Sequence, residues 1–181
     1  ITDQGIRYIT TGNIGEGYFK FQGNSYISEE TFKKLVCTEV FPGDLLISRL
    51  SIPVGRSCII PDLGFRIVTS VDNVIIRLKD QLDIEYYNYL FNCQLSYENT
   101  STLTRGTTLT RISRSMLGGI ETIVPPPEDQ KNIVQFLNSK TRPIEKVIKK
   151  EEKRISLIFE YRQSLISSVT TGKFIVTEDM V

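Results

Sequence analysis

Eight positions near the C-terminus, Ile144, Ile148, Glu151, Ile155, Ile158, Arg162, Leu165 and Val169, follow one another by alternating steps of four and three. That spacing is the seam of a coiled coil, because it keeps one face of a helix turned toward a partner helix. Glu151 and Arg162 are the two charged members of the series. An amphipathic helix packed on its own domain would also carry such a stripe, with both charges tolerated at its edge.

Self-pairing separates the two readings. Against an antiparallel copy of itself, Ile144 faces Val169, Ile148 faces Leu165, Ile155 faces Ile158, and Glu151 faces Arg162. Every apolar residue meets an apolar one, and the misfits become an opposite-charge pair that occurs twice by symmetry. Parallel pairing in register would set Glu151 on Glu151 and Arg162 on Arg162, which like-charge repulsion disfavours. The seam therefore predicts an antiparallel two-fold homodimer in which charge sets the register more than it adds stability. Its ~26 helical residues, at 1.5 Å each, span ~39 Å, a little over one turn of B-DNA, and would act as a spacer. Thr141 is the expected N-cap of this helix, with Pro143 in its first turn and Glu145 near its positive end, and Gly172 is the expected stop.

Upstream, Pro125-Pro126-Pro127 ends any sheet, since consecutive prolines donate nothing to a ladder. A domain boundary is expected there, dividing residues 1–126 from residues 127–181, with a short helix over Glu128–Asn138 opening the second part. Residues 1–126 read as short strands divided by turns: Arg7–Thr10, Tyr18–Phe21, Leu45–Ser48, Ser57–Ile60, Val71–Leu78 and Ile120–Val124. Two helices interrupt them, one over Glu29–Val36 capped by Ser28 and one over Ile84–Tyr97 capped by Asp83. The fold class is α+β, a mixed domain rich in short strands followed by a long helix that forms an antiparallel coiled coil.

Several chemistries are disfavoured by what the chain lacks. It has no histidine, so the usual serine and cysteine triads, histidine bases and common histidine metal sites are missing. Cys37, Cys58 and Cys93 are odd in number and widely spaced, which suits small buried hydrophobes better than a disulfide framework or a zinc site. The glycines of Gly12-Asn13-Ile14-Gly15-Glu16-Gly17 are in the wrong order for a dinucleotide loop, and no phosphate-binding loop is present. Pro61-Asp62 resembles the start of a nuclease carboxylate motif, but no acid-x-Lys strand follows. No catalytic residue, cofactor or metal is expected. No run approaches the ~20 apolar residues of a membrane span, and a soluble, cytoplasmic protein is expected.

Net charge is +1, carried as −1 over residues 1–127 and +2 over residues 128–181, so a DNA-binding surface must be a local patch. The strongest candidate is Ser101–Ser115, with three arginines, eight hydroxyl side chains and no acid. Arginine grips phosphate or reads guanine through two parallel bonds, and Ser and Thr donate to phosphates. Arg105, Thr107, Thr108, Arg111 and Arg114 are the expected contacts within it. Asn13, Lys20, Arg49, Ser51 and Arg56, beside glycine- and serine-containing turns, are expected to add to the same face. A solvated polar loop would have a similar composition. The apolar stripe Ile84, Tyr87, Leu90, Phe91 and Leu95 is read as core packing and not as a base-stacking platform.

The motifs together resemble the specificity subunit of type I restriction-modification systems. Tyr8-Ile9-Thr10-Thr11-Gly12-Asn13-Ile14 is similar to the opening of the later part of its recognition domain. Pro42-Gly43-Asp44-Leu45-Leu46-Ile47-Ser48-Arg49 with Val54-Gly55-Arg56, and Asn73-Val74-Ile75-Ile76-Arg77-Leu78, resemble its next signatures. Val124-Pro125-Pro126-Pro127-Glu128-Asp129-Gln130, then Tyr161-Arg162-Gln163-Ser164-Leu165-Ile166 and Val169-Thr170-Thr171-Gly172-Lys173, are similar to its closing region. The resemblance implies that residues 1–126 are most of a target-recognition domain that reads double-stranded DNA through the major groove. A complete one would have several dozen residues more at its start. It also implies that residues 127–181 are a helical region that pairs antiparallel and contacts methyltransferase subunits and, through them, the restriction subunit. Family members usually carry two of each part, and this chain has one of each. The leading expectation is a non-catalytic subunit that directs methyltransferase and nuclease partners to a bipartite target. The alternative is an assembly module derived from such a subunit that no longer reads DNA.

Overall fold

The computed structural model describes residues 4–50, 53–79, 81–104 and 110–177. They form two compact units, divided between Val134 and Gln135, a few residues beyond the boundary expected at 126/127.

In unit 1 two small sheets carry the core. Strands β1 (Ile6–Ile9), β2 (Tyr26–Ile27), β3 (Glu39–Val40) and β6 (Ile67–Thr69) make the first, in the order β2-β1-β6-β3. Only β1 and β6 run parallel, with Arg7 opposite Ile67 and Ile9 opposite Thr69. The second is the antiparallel set β5-β4-β7, built from β4 (Leu45–Ser48), β5 (Ser57–Ile59) and β7 (Asn73–Ile76). β4 is buried on both faces. Leu46 joins Ile9, Ile14, Val40, Cys58, Ile60 and Ile67, while Leu45 faces the other way, toward Tyr86, Tyr87 and Val134. A continuous apolar run is what a strand covered on both sides requires. Burial pushes the Cys58 thiol up to about 12, so it stays protonated, and all three cysteines are free.

The turn before β4 is held from inside. Gly43 sits at φ +88°, a conformation that favours glycine, and the buried Asp44 carboxylate accepts from Phe41 N at 2.9 Å. The same carboxylate receives both Nε (2.9 Å) and Nη2 (2.8 Å) of Arg77, one residue past β7. The Pro-Gly-Asp and Asn-Val-Ile-Ile-Arg signatures are thus two halves of one bidentate contact.

The expected caps are present. Ser28 Oγ accepts from Thr31 N to open α1 (Glu29–Lys34), and Asp83 accepts from Glu85 N and Tyr86 N to open α2 (Ile84–Phe91). The expected single helix over residues 84–97 is instead α2 followed by α3 (Gln94–Thr102). Asn92 divides them, because its amide nitrogen bonds Asn88 O and crosses to Ser57 O and Oγ, drawing the chain out of helical register. A short helix, α4 (Arg114–Gly118), is capped by Ser113 and was not expected. Two expected strands are absent. Residues 18–21 fold back on residues 13–15 through one isolated bridge, Ile14 to Phe19, which is too short for a ladder. Ile120–Val124 joins no strand ladder among the described residues, and Ile123 O is taken by the Tyr86 hydroxyl.

The last helix, α5 (Pro127–Thr170), is continuous, where two helices were expected. Thr141 and Pro143 lie inside it and not at a helix start. The proline removes one ladder bond, and the helix formers on both sides carry the ladder past it. Gly172, at φ +74°, closes it, with Phe174 N returning to Ser168 O at 3.0 Å. None of the described helices is long and apolar enough to cross a membrane.

The start of α5 belongs to unit 1. Gln130 is fully buried, and its side chain accepts from Asp83 N (2.9 Å) and donates to Pro125 O (2.8 Å). Gln130→Ala should leave both backbone groups unpaired and lower the unfolding free energy by about 2 kcal/mol, measured by urea denaturation.

Candidate nucleic-acid interface

The residues expected to touch DNA divide into three groups. Ser51, Arg105, Thr107 and Thr108 lie outside the described residues. Asn13, Arg49 and Arg56 lie inside the domain. Lys20, Arg111 and Arg114 reach solvent.

The interior group is a correction to the surface role expected of it. Asn13 is 3% exposed: its amide nitrogen donates to Lys20 O (3.1 Å) and Gln22 O (2.8 Å), and its oxygen accepts from Thr10 N (3.0 Å). It closes the residue 10–22 loop on itself. Arg56, 7% exposed, donates to Ile14 O (2.8 Å), Thr11 O (2.9 Å), Leu50 O (3.0 Å) and Pro53 O (3.1 Å). Desolvation is the largest influence on it and lowers its pKa, yet an arginine so bonded remains charged. Arg49 is also buried, with Nη2 on Val71 O and Nη1 on Ile112 O at 3.5 Å. An arginine committed to backbone carbonyls has no fork left for a base or a phosphate.

The exposed group follows from local structure. Lys20 lies 5.9 Å from the Tyr18 ring centroid, in a loop that also exposes Tyr18 and Phe21. Arg114 opens α4 and is exposed. Arg111 is placed by the end of β4: Leu50 and Arg111 form an antiparallel bridge, and Ile112 N donates to Arg49 O at 3.1 Å. Its side chain, 50% exposed, pairs with Asp72 at 2.6 Å. Sequence reasoning passed over Asp72, which stands between Arg111 and Arg49, 3.6 Å from the latter. Two further exposed arginines of unit 1 are ion-paired, Arg66 with Glu29 and Glu39 and Arg77 with Asp44.

In unit 2 the seam positions Ile144, Ile148, Ile155, Ile158 and Leu165 are each 44–59% exposed. Glu151 pairs only loosely with Arg154, at 3.6 Å. The described residues of unit 2 leave this face exposed.

Arg56→Met should remove a charge-assisted contact to two loops at once and lower the unfolding free energy by about 3 kcal/mol or more, and Arg56→Lys should recover little of it. Thermal unfolding followed by circular dichroism checks both.

Two solved structures share this architecture. A chain from a structure addressing complex assembly and conformational transition of the type I R-M system superposes with a TM-score of 0.61 at 17% identity, over 91% of this chain and 38% of that one. The HsdS subunit from Thermoanaerobacter tengcongensis gives 0.60 at 16% identity, over 92% of this chain and 38% of that one. This chain therefore spans less than half the length of either. Curated protein sequences give no significant match. The profile described as type I restriction modification DNA specificity domain matches residues 2–157, from the first strand well into the seam of α5. The protein belongs to the type I restriction-modification DNA specificity domain family.

Proposed function

We propose that this chain is a non-catalytic, sequence-specific DNA-recognition subunit of a cytoplasmic type I restriction-modification complex, directing methyltransferase and nuclease subunits to a bipartite target. The observation that carries this is the extent of the family match, which takes in both unit 1 and much of the seam-bearing helix. Residues 1–126 act as the target-recognition domain. Its DNA surface is assigned to Lys20, Ser51, Arg105, Thr107, Thr108, Arg111 and Arg114, while Asn13, Arg49 and Arg56 brace the interior beneath it. A reader of this kind should bind random-sequence duplex and lose affinity steeply between 50 and 200 mM salt, by about tenfold for each pair of phosphates it neutralises. Filter binding or fluorescence anisotropy checks this, and absence of binding at low salt would leave the chain an assembly module.

The exposed seam serves as an antiparallel coiled coil with a second copy, which restores two recognition domains at the ends of a rod. Glu151 opposite Arg162 then forms the register-setting pair. Glu151→Arg should weaken the dimer at tens of micromolar, and the double change Glu151→Arg with Arg162→Glu should recover it, as read by light scattering. A monomeric wild type, or dimers indifferent to Glu151→Arg, would remove the homodimer.

A further inference from the structure

We infer that Arg111 reads a guanine edge in the major groove and that Asp72 is the positioning residue that aims it. The inference rests on the DNA-recognition reading above and says which kind of contact one of its arginines makes.

Arg111 is fixed at its backbone before its side chain is considered. The bridge to Leu50 holds it on one side, and on the other Ile112 is fully buried, with its N–H on Arg49 O. Asp72 is fixed as well, because its carbonyl accepts from Arg49 N at 2.8 Å. Arg49 in turn is held by Val71 O and Ile112 O, so three segments distant in sequence meet at one carboxylate. That carboxylate lies between a buried cation, Arg49 at 3.6 Å, and a half-exposed one, Arg111 at 2.6 Å.

The Arg111 contact is electrostatic. Asp72 Oδ1 lies 2.6 Å from Nη2, close enough to anchor one end of the guanidinium. One end of the guanidinium is thus located by the carboxylate, while its other N–H groups have no partner among the described residues. Such a group suits a neutral acceptor pair better than an anion. A phosphate drawn to Arg111 would approach a cation already half-neutralised and would meet the negative Asp72 beside it. Guanine O6 and N7 carry no net charge, avoid that repulsion, and match the arginine fork.

Arg114 is the contrast within the same stretch. It is exposed and has no carboxylate partner among the described residues, so it keeps the full charge that a phosphate contact uses.

The test is selection of bound duplexes from a random-sequence library by the 181-residue chain and by Arg111→Ala, Asp72→Asn and Arg114→Ala, with affinities for the selected and random duplexes at two salt concentrations. The wild type should select a site with an invariant guanine. Arg111→Ala should relax that one position, lowering the ratio of selected to random affinity roughly 5- to 150-fold. Asp72→Asn should relax the same position while tightening binding to random duplex, because a negative charge leaves the interface. Arg114→Ala should weaken both duplexes by the same factor and flatten the log–log salt slope by about 0.9. Should Asp72→Asn unfold, Arg111→Ala alone decides, because its side chain is half in solvent. A wild-type selection without an invariant guanine, or an Arg111→Ala selection identical to wild type or weakened alike on all sequences, overturns the inference and leaves the DNA-recognition reading standing. A wild type that binds no duplex at low salt overturns both.

Discussion

The buried guanidinium of Arg56 is the contact on which unit 1 depends. Burying a cation is costly unless its hydrogen-bonding capacity is met, and Arg56 meets it with four carbonyls from two separate loops. Thr11 and Ile14 belong to the turn after β1, and Leu50 and Pro53 to the connection between β4 and β5. No strand ladder reaches either set. One rigid planar group fixes both loops against the end of the sheet, and Ser57, the next residue, continues the connection. Its N–H bonds Asn92 and its hydroxyl bonds Asn88, so α2 is tied to the same place.

This arrangement follows from the shortness of the strands. Ladders of two to four residues leave much of unit 1 in loops, whose backbone groups must still find partners when buried. Side chains supply those partners. Asn13 does so for the 10–22 loop, Asp44 for the turn before β4, Arg49 for the β6–β7 turn and the segment at 112, and Gln130 for the link into α5. Each sits in a motif through which the chain resembles its family. Those motifs therefore describe a scaffold, and a scaffold pinned from within leaves side chains such as Arg111 and Arg114 exposed.

The helical features were the most legible. The caps at Ser28 and Asp83 and the stop at Gly172 depend on residues within a turn or two of each other, and they form where expected. The seam positions likewise fall on one continuous helix. The misreadings share a cause. Asn92 breaks a helix because it bonds Ser57, 35 residues away, and in Ile120–Val124 the Ile123 carbonyl is taken by a distant tyrosine hydroxyl and not by a ladder. Asn13, Arg49 and Arg56 resembled surface contacts because a polar residue near a turn has the same sequence signature whether it faces water or a buried carbonyl.

The sequence alone determined the α+β class, the local starts and stops, and a seam whose charges are self-complementary, since all of these are set by short-range geometry or by a fixed period. The tertiary structure decided which arginines are structural and which are exposed. That choice depends on carbonyls brought together from 42 and 45 residues away around Arg56, and on Asp72 reaching Arg111 across a turn. Burial is a property of the assembled chain, and with it goes the difference between an arginine that holds a loop and one that faces solvent.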